Sequence, residues 1–315
     1  MKKFPFWRIV RILLAIAIVA FLVTHFDMRQ TAGALLHASW AWILLSVLLG
    51  YGTMFFQSLR WRELMLVHAQ SPKPLLPYLE STATGNAANM VLPSTIGGDV
   101  VRCVSFGKST GLMTESVSSV LVGRVIGVLL LPPMTLFAFA FVDMRASMRT
   151  GILSVMALAT LGGLGFFVFC LIGRNARHLK GSGRFSQTAN KFFEVLHNYR
   201  HEPRRMLASA LYSLPVQVFA ILQGLLSYWA IGADMPASVA FFAFPALILA
   251  GMIPVTIGNV GVKESLSIMV FTAAHLSAEQ CIAANVIGYL IVFTQALPGL
   301  LVLLFRKGEK NVSRK

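Results

Sequence analysis

Three cationic residues, Arg102, Arg124 and Lys263, lie inside or beside long apolar stretches of this chain. A charge within the hydrocarbon of a membrane is costly unless it meets a partner or water, so each is a candidate functional residue. Arginine presents a planar fork of donors that matches phosphate oxygens, and lysine binds them as a point charge. Brought together, these three cations would suit a ligand that carries phosphate.

The other polar residues near them leave alternatives open. Internal salt bridges could hold the cations instead, with Glu115 or Glu80 for Arg124, and Glu264 or Asp99 for Lys263. Asp99 and Glu264 are also candidate proton carriers. Asn89 either lines the same cavity or hydrogen-bonds between helices. We include all three in the predicted substrate-binding set.

Residue patterns typical of catalysis or of a metal centre are missing. The three cysteines and seven histidines are scattered, without the spacing of metal ligands or of a triad. No Walker-type glycine loop is present, so transport would be passive or driven by an ion gradient. We therefore predict no catalytic residue, no metal and no cofactor. An intramembrane enzyme acting on lipid headgroups is kept as an alternative.

Composition fixes the class of protein. The chain is 56% hydrophobic and only 12% charged, with a mean hydropathy of +0.72, which is typical of a polytopic membrane protein. Helices long enough to cross about 30 Å of hydrocarbon are predicted from six apolar runs. These runs are 10–26, 40–59, 116–142, 150–172, 206–231 and 278–305. The first is interpreted as a retained helix and not as a signal peptide.

The net charge of +15 reflects membrane topology and does not indicate nucleic-acid binding. Most lysines and arginines fall in a few segments, which marks those segments as cytoplasmic. The largest is the basic loop 174–205, which could in addition bind acidic lipid headgroups. The tail 306–315 is basic as well, so both termini are predicted to be cytoplasmic.

The same charge map predicts two re-entrant helical hairpins. Segments 60–73 and 174–205 both look cytoplasmic, yet three apolar or semi-apolar stretches separate them. One stretch must therefore enter and leave by the same face, and the candidates in the two halves are 75–108 and 237–275. Proline and glycine would form the hairpin tips, at Pro93, Gly97, Gly98, Pro254, Gly258 and Gly261. The alternative is eight ordinary helices with two kinks.

An internal repeat accounts for the two hairpins. PSTIGGD at Pro93 corresponds to PVTIGNV at Pro254, and at the same offset of 161 positions RVIGVLL corresponds to NVIGYLI. We predict a single all-α transmembrane domain over 1–315, with inverted-topology repeats at 1–145 and 150–305. Each repeat holds three spans and one hairpin, giving six spans and two hairpins. Interrupted segments in corresponding halves point to a transporter's binding site.

Two motifs resemble those of a known family. NMVLPSTIGGDVVRCVSFGKSTG, followed by SVSSVLVGRVIGVLLL, resembles the first signature of the flippase-like family that includes the transmembrane region of lysylphosphatidylglycerol synthase. IPVTIGNVGVKES resembles its second signature. The resemblance implies roles for Asn89, Pro93, Gly97, Gly98, Asp99, Arg102, Arg124, Gly261, Lys263 and Glu264. The chain departs from the family pattern at Gly123, Asn259 and Lys263, where an acid, a glycine and an arginine are usual.

The predicted function is that of a lipid translocase in the bacterial inner membrane. The headgroup of an anionic phospholipid or of an isoprenoid-phosphate-linked lipid would cross in a polar cavity between the hairpins. A non-transporting lipid-binding scaffold or regulator is the main alternative. Homo-oligomerisation is left open.

Overall fold

In a computed structural model, the described residues are 33–67, 74–90, 92, 95–172, 194–253 and 261–312. The predicted first span and most of the basic loop lie outside them, as do the predicted tip residues Pro93, Pro254 and Gly258. The regular elements within the described ranges are helices, without a strand.

The α-helices are numbered in chain order. They are Trp40–Met65 (α1), Leu76–Asn89 (α2), Thr95–Thr110 (α3), Met113–Phe139 (α4), Ala146–Ile172 (α5), Pro203–Ala230 (α6), Ala237–Ala250 (α7), Val262–Phe271 (α8) and Ala278–Val312 (α9). Five of them, α1, α4, α5, α6 and α9, contain stretches long and apolar enough to cross a membrane. Five of the six predicted spans are thereby confirmed as apolar helices of sufficient length, and the chain is a multi-pass helical membrane protein.

Large apolar side chains cover the outer faces of these long helices. Leu158 and Leu161 of α5 are 70% and 68% exposed, and Leu48 of α1 is 66% exposed. Contiguous apolar surface of this kind is typical of contact with lipid. Serines and small residues occupy buried positions instead, as Ser116, Ser118 and Ser119 do in α4.

The other four helices are too short to span. They have 14, 16, 14 and 10 residues in α2, α3, α7 and α8, against the roughly 20 that a spanning helix needs. Helix α2 packs against α3, and α7 contacts α8. These short pairs occupy the two segments in which the sequence predicts hairpins.

Helix bounds repeat at the offset found in the sequence. Residues 76–89 of α2, shifted by 161 positions, fall on 237–250, which are the bounds of α7. Thr110, the last residue of α3, falls on Phe271, the last residue of α8. The bounds of these short helices therefore repeat at the offset that relates the two sequence motifs, and the duplication itself stays a prediction.

Helix α2 is enclosed by α3 and α9 through contacts at glycine. A Cβ added at Gly98 of α3 would stand 2.3 Å from the carbonyl oxygen of Gly85. A Cβ at Gly299 of α9 would stand 2.0 Å from the carbonyl oxygen of Ala83. Small residues let helix backbones approach closely in a membrane, where helix packing depends on such contacts.

We expect Gly299→Ala to lower the free energy of unfolding by about 1–3 kcal/mol, since the added methyl group meets a backbone atom that cannot rotate away. The control is Gly162→Ala in α5, where a Cβ meets nothing within 4 Å. Melting temperatures of the two purified variants in the same detergent measure the effect. Equal melting temperatures would contradict the close packing of α9 on α2.

Candidate functional site

One carboxylate joins two of the predicted cations. The Nη2 of Arg102 lies 3.1 Å from Oδ1 of Asp99, one helical turn earlier in α3. The Nη2 of Arg124, in the middle of α4, donates to the other carboxylate oxygen, Oδ2. Asp99 therefore ties α3 to α4. Of the three predicted cations, Arg102 and Arg124 thus meet at one carboxylate.

Arg102 is the most deeply buried member of this cluster. It is 3% exposed, and its Nε and Nη1 have no hydrogen-bond partner among the described residues. Its guanidinium carbon lies 5.2 Å from the centroid of the Trp61 ring, a cation–π distance. Buried donors of a charged group are costly to leave unpaired, so this geometry suits an anion that accepts from them.

An aromatic cluster holds Arg102 in place. Trp61 of α1, Tyr78 of α2 and Phe106 of α3 pack with ring centroids 4.6–5.2 Å apart, and each is 1% exposed. The Trp61 Nε1 donates to Oγ of Ser119 in α4 at 2.9 Å, which fixes the ring that faces Arg102. Rigid packing of this kind limits the positions that the guanidinium can adopt.

A third arginine belongs to the same region and was missed by the sequence reasoning. Arg60 is only 6% exposed, and its Nη1 lies 3.5 Å from Oγ of Ser213 in α6. It lies beside Gly123, the residue before Arg124, and is followed in α1 by Trp61, whose ring faces Arg102. The sequence assigns Arg60 to a basic cytoplasmic stretch because the apolar run ends at residue 59, whereas α1 continues to Met65.

Two glycines of α4 make room for Arg60. A Cβ at Gly127 would stand 3.2 Å from the Arg60 Nη1 and 2.9 Å from Nε2 of Gln217. A Cβ at Gly123 would stand 3.4 Å from the Arg60 Nε. Gly123 is the position at which the resemblance implies an acid, and a glycine there leaves room for Arg60.

Asn89 supports the site by a hydrogen bond to the backbone where α2 meets α3. The amide of Gly98, near the start of α3, donates to Oδ1 of Asn89 at 2.8 Å. This hydrogen bond joins the end of α2 to the start of α3, four residues before Arg102. Of the two readings left open for Asn89, the interhelical hydrogen bond is present. Gly97 packs against Leu92 in the same turn.

Lys263 lies in a different place from the arginines. It lines a cavity of about 380 Å³ between α1, α6, α7, α8 and α9, to which neither Arg102 nor Arg124 contributes. The polar side chains of this cavity, besides Lys263, are Thr53, Gln223, Ser227, Tyr228, Ser267, Asn285 and Gln295. The Lys263 Nζ lies 5.2 Å from the Tyr289 ring centroid. Within the described ranges, it makes no ion pair with Glu264 or Asp99.

Glu264 caps a helix. Its Oε2 accepts a hydrogen bond from the Gly261 amide at 2.7 Å, and the residue is 5% exposed. Gly261 has φ of 83°, a backbone conformation that favours glycine, so its predicted place at the hairpin end has a conformational reason. The carboxylate also stabilises the positive end of α8. Its predicted role as a proton carrier is not tested by this geometry.

We expect Lys263→Met to raise the free energy of unfolding by about 1–3 kcal/mol, because it removes a buried charge that forms no salt bridge within the described residues. The control is Lys108→Met, since Lys108 is exposed in the last turn of α3. Thermal unfolding in one detergent compares the two variants. A melting temperature below that of the wild type would contradict a net cost of burying Lys263.

The fold and the site define a class: a polytopic helical membrane protein with a buried arginine cluster around one carboxylate. A family model described as the lysylphosphatidylglycerol synthase TM region matches residues 8–299, and the chain belongs to that family. The resemblance read from the two motifs is thereby confirmed, and membership indicates a function related to membrane lipids. No curated protein and no solved structure shows significant similarity to the chain.

Proposed function

We propose that this protein is a lipid translocase that moves a lipid with an anionic headgroup between the leaflets of the bacterial inner membrane. The observation that carries the proposal is Arg102, which is 3% exposed and has two donor nitrogens without a described partner. A membrane protein retains such a costly group where it binds something. The lipid headgroup would accept from Arg102, and the acyl or isoprenyl tail would stay in the bilayer.

The site carries more positive than negative charge, which supports an anionic ligand. Asp99 offsets one charge, while Arg102 and Arg124 both contact it. Headgroup phosphate would supply the missing negative charge and the missing acceptors. The family's relation to membrane lipids supports a lipid as the source of that phosphate.

Inverted repeats over 1–145 and 150–305 would give the lipid a route. In this proposal α2 with α3, and α7 with α8, are re-entrant hairpins that enter from opposite faces, and both termini are cytoplasmic. Arg102 and Lys263 correspond at the repeat offset of 161, so the arginine cluster and the Lys263 cavity would be the related sites of the two halves. The headgroup would pass between them unchanged, without catalysis.

Leaflet exchange in reconstituted vesicles tests the proposal. Acyl-labelled phosphatidylglycerol and phosphatidic acid, with phosphatidylcholine as the zwitterionic comparison, are placed in both leaflets. A membrane-impermeant quencher then reports how fast inner-leaflet lipid becomes accessible. We expect faster exchange of at least one anionic lipid than in protein-free vesicles, and no such gain for phosphatidylcholine.

The scaffold alternative gives a different result in the same preparation. Binding of an anionic lipid to the purified protein without any gain in exchange would contradict the translocase and favour a lipid-binding partner of an envelope pathway. Arg149→Gln is the matched control variant throughout, because the Arg149 guanidinium stacks on Phe139 at 4.4 Å and is not part of the cluster.

A further inference from the structure

With Arg60, the arginine cluster carries more positive charge than the predicted residues Asp99, Arg102 and Arg124 supply. Arg60 lies beside the predicted residues: a Cβ at Gly123, the residue before Arg124, would stand 3.4 Å from the Arg60 Nε, and Trp61, the residue after Arg60, faces Arg102. Asp99 contacts both Arg102 and Arg124. Guanidinium groups stay protonated at neutral pH. The four side chains therefore sum to a charge of about +2 in a low-dielectric surrounding.

Arg60 adds a cation that Asp99 does not neutralise by contact. Within the described part of the chain, Arg60 makes no ion pair, and its Nη1 donates to the neutral Ser213 Oγ at 3.5 Å. Gln217, which lies beside it in α6, is neutral and donates to the carbonyl oxygen of Gly127. The described groups that contact Arg60 from α4 and α6, which are Gly123, Gly127, Ser213 and Gln217, are all neutral.

We propose that this cluster selects a lipid whose phosphate is a monoester over one whose phosphate is a diester. The inference rests on the proposed function and names its substrate class. Phosphatidic acid and isoprenyl phosphates belong to the preferred class, and phosphatidylglycerol belongs to the other.

Charge and oxygen count both favour the monoester. A phosphate monoester carries a charge of about −1.5 to −2 at pH 7 and presents three terminal oxygens. A diester carries a charge of about −1 and presents two terminal oxygens, because its second ester bond replaces one ionisable oxygen. A ligand of charge about −2 neutralises the cluster, while a diester leaves one buried guanidinium without a counter-charge, which is costly.

Arg102 and Arg60 divide the recognition between them. Arg102, with its Nε and Nη1 unpartnered among the described residues, would bind either kind of phosphate. Arg60 would attract the second negative charge of a phosphate monoester. Loss of Arg102 should therefore weaken both lipids, whereas loss of Arg60 should weaken mainly the monoester.

Lipid binding to the purified full-length protein in detergent at pH 8 tests this. Three probes are titrated: dioleoyl phosphatidic acid, dioleoyl phosphatidylglycerol and the tail-free glycerol 3-phosphate. We expect phosphatidic acid to bind at least about tenfold more tightly than phosphatidylglycerol, the effect of one more charge-assisted hydrogen bond. Glycerol 3-phosphate should bind much more weakly than either lipid, since it buries no tail.

Variants then assign the preference to Arg60. Arg60→Gln should reduce the tenfold ratio to below about threefold by weakening phosphatidic acid, and Arg60→Lys, which keeps the charge, should retain most of it. Arg149→Gln should match the wild type. The wild-type ratio is informative even where Arg60→Gln fails to fold, because it needs no variant.

The outcomes separate this inference from the proposed function. Equal affinities for the two lipids, both lost in Arg102→Gln, would overturn the monoester preference and leave an anionic-lipid site. Lipid binding that survives Arg102→Gln would overturn both. Glycerol 3-phosphate binding as tightly as phosphatidic acid would overturn the lipid assignment, because the site would then take free phosphate monoesters.

Discussion

Replacing Arg102 by glutamine is expected to slow leaflet exchange of an anionic lipid by at least about tenfold, while the fold is retained. Glutamine removes the charge and one or more charge-assisted hydrogen bonds to the headgroup, each worth roughly 1.5–3 kcal/mol. The fold should survive because Asp99 keeps its contact with Arg124. The variant also removes two buried donors that have no described partner, which offsets the loss of the Asp99 contact.

Three comparisons make this prediction sharp. Exchange rates are measured at equal protein-to-lipid ratio, together with circular dichroism and melting temperature, so that lost activity is not confused with lost structure. Arg102→Lys should give an intermediate rate, since lysine keeps the charge but not the planar fork. Arg149→Gln should exchange lipid as the wild type does. An Arg102→Gln rate equal to the wild-type rate would remove Arg102 from the lipid path.

Replacing Asp99 by asparagine is expected to destabilise the protein by about 3–5 kcal/mol, the usual cost of removing one partner from a buried ion pair. Asparagine has nearly the same shape as aspartate, so the substitution mainly removes the negative charge. The side chains of Asp99 and Arg102 are 14% and 4% exposed, which leaves little water to screen the guanidiniums that remain. Arg102 and Arg124 would then lose the carboxylate that both of them contact, with Arg60 close by.

A double variant separates repulsion from misfolding. Asp99→Asn combined with Arg102→Gln should be more stable than Asp99→Asn alone, by about 1–3 kcal/mol, because one of the repelling cations is gone. Melting temperatures and denaturant midpoints of the two single variants and the double variant give this coupling. A double variant less stable than both single variants would contradict a cluster dominated by charge. So would an Asp99→Asn variant as stable as the wild type.

The two halves of the protein hold different chemistry at corresponding positions. Arg124 corresponds at the repeat offset to Asn285, which donates to Oγ of Ser267 at 2.6 Å and lines the Lys263 cavity. The first half therefore concentrates charge around Asp99. The second half places Lys263 in a cavity whose other polar lining groups are neutral. The common helix bounds set the positions, and the side chains decide what each position binds.

Much of the architecture could be predicted from the sequence. Five predicted spans are present as apolar helices, because the thickness of the hydrocarbon fixes the length of such a run whatever the helix contacts. The short helices α2, α3, α7 and α8 fall where Pro–Gly segments interrupt the apolar pattern. The entry faces of the two proposed hairpins remain predictions.

The site was predicted in part. Asp99, Arg102 and Arg124 were identified because a charged residue in an apolar run is conspicuous without any structure. Arg60 was not, because it follows its apolar run and reads locally as the start of a cytoplasmic loop. Asn89 and Glu264 were identified as polar candidates, but their hydrogen bonds to the amides of Gly98 and Gly261 depend on backbone turns.

The sequence by itself determined the class of protein, the lengths of its membrane helices and which charged residues lie where burial of a charge is costly. Those properties depend on composition and on local runs, which hydrocarbon thickness and charge burial constrain directly. Only the tertiary structure decided that Arg60 lies beside the cluster of Asp99, Arg102 and Arg124, and that Lys263 faces a separate cavity. These neighbours come from different helices, and their meeting depends on glycine contacts between helices that no local pattern encodes.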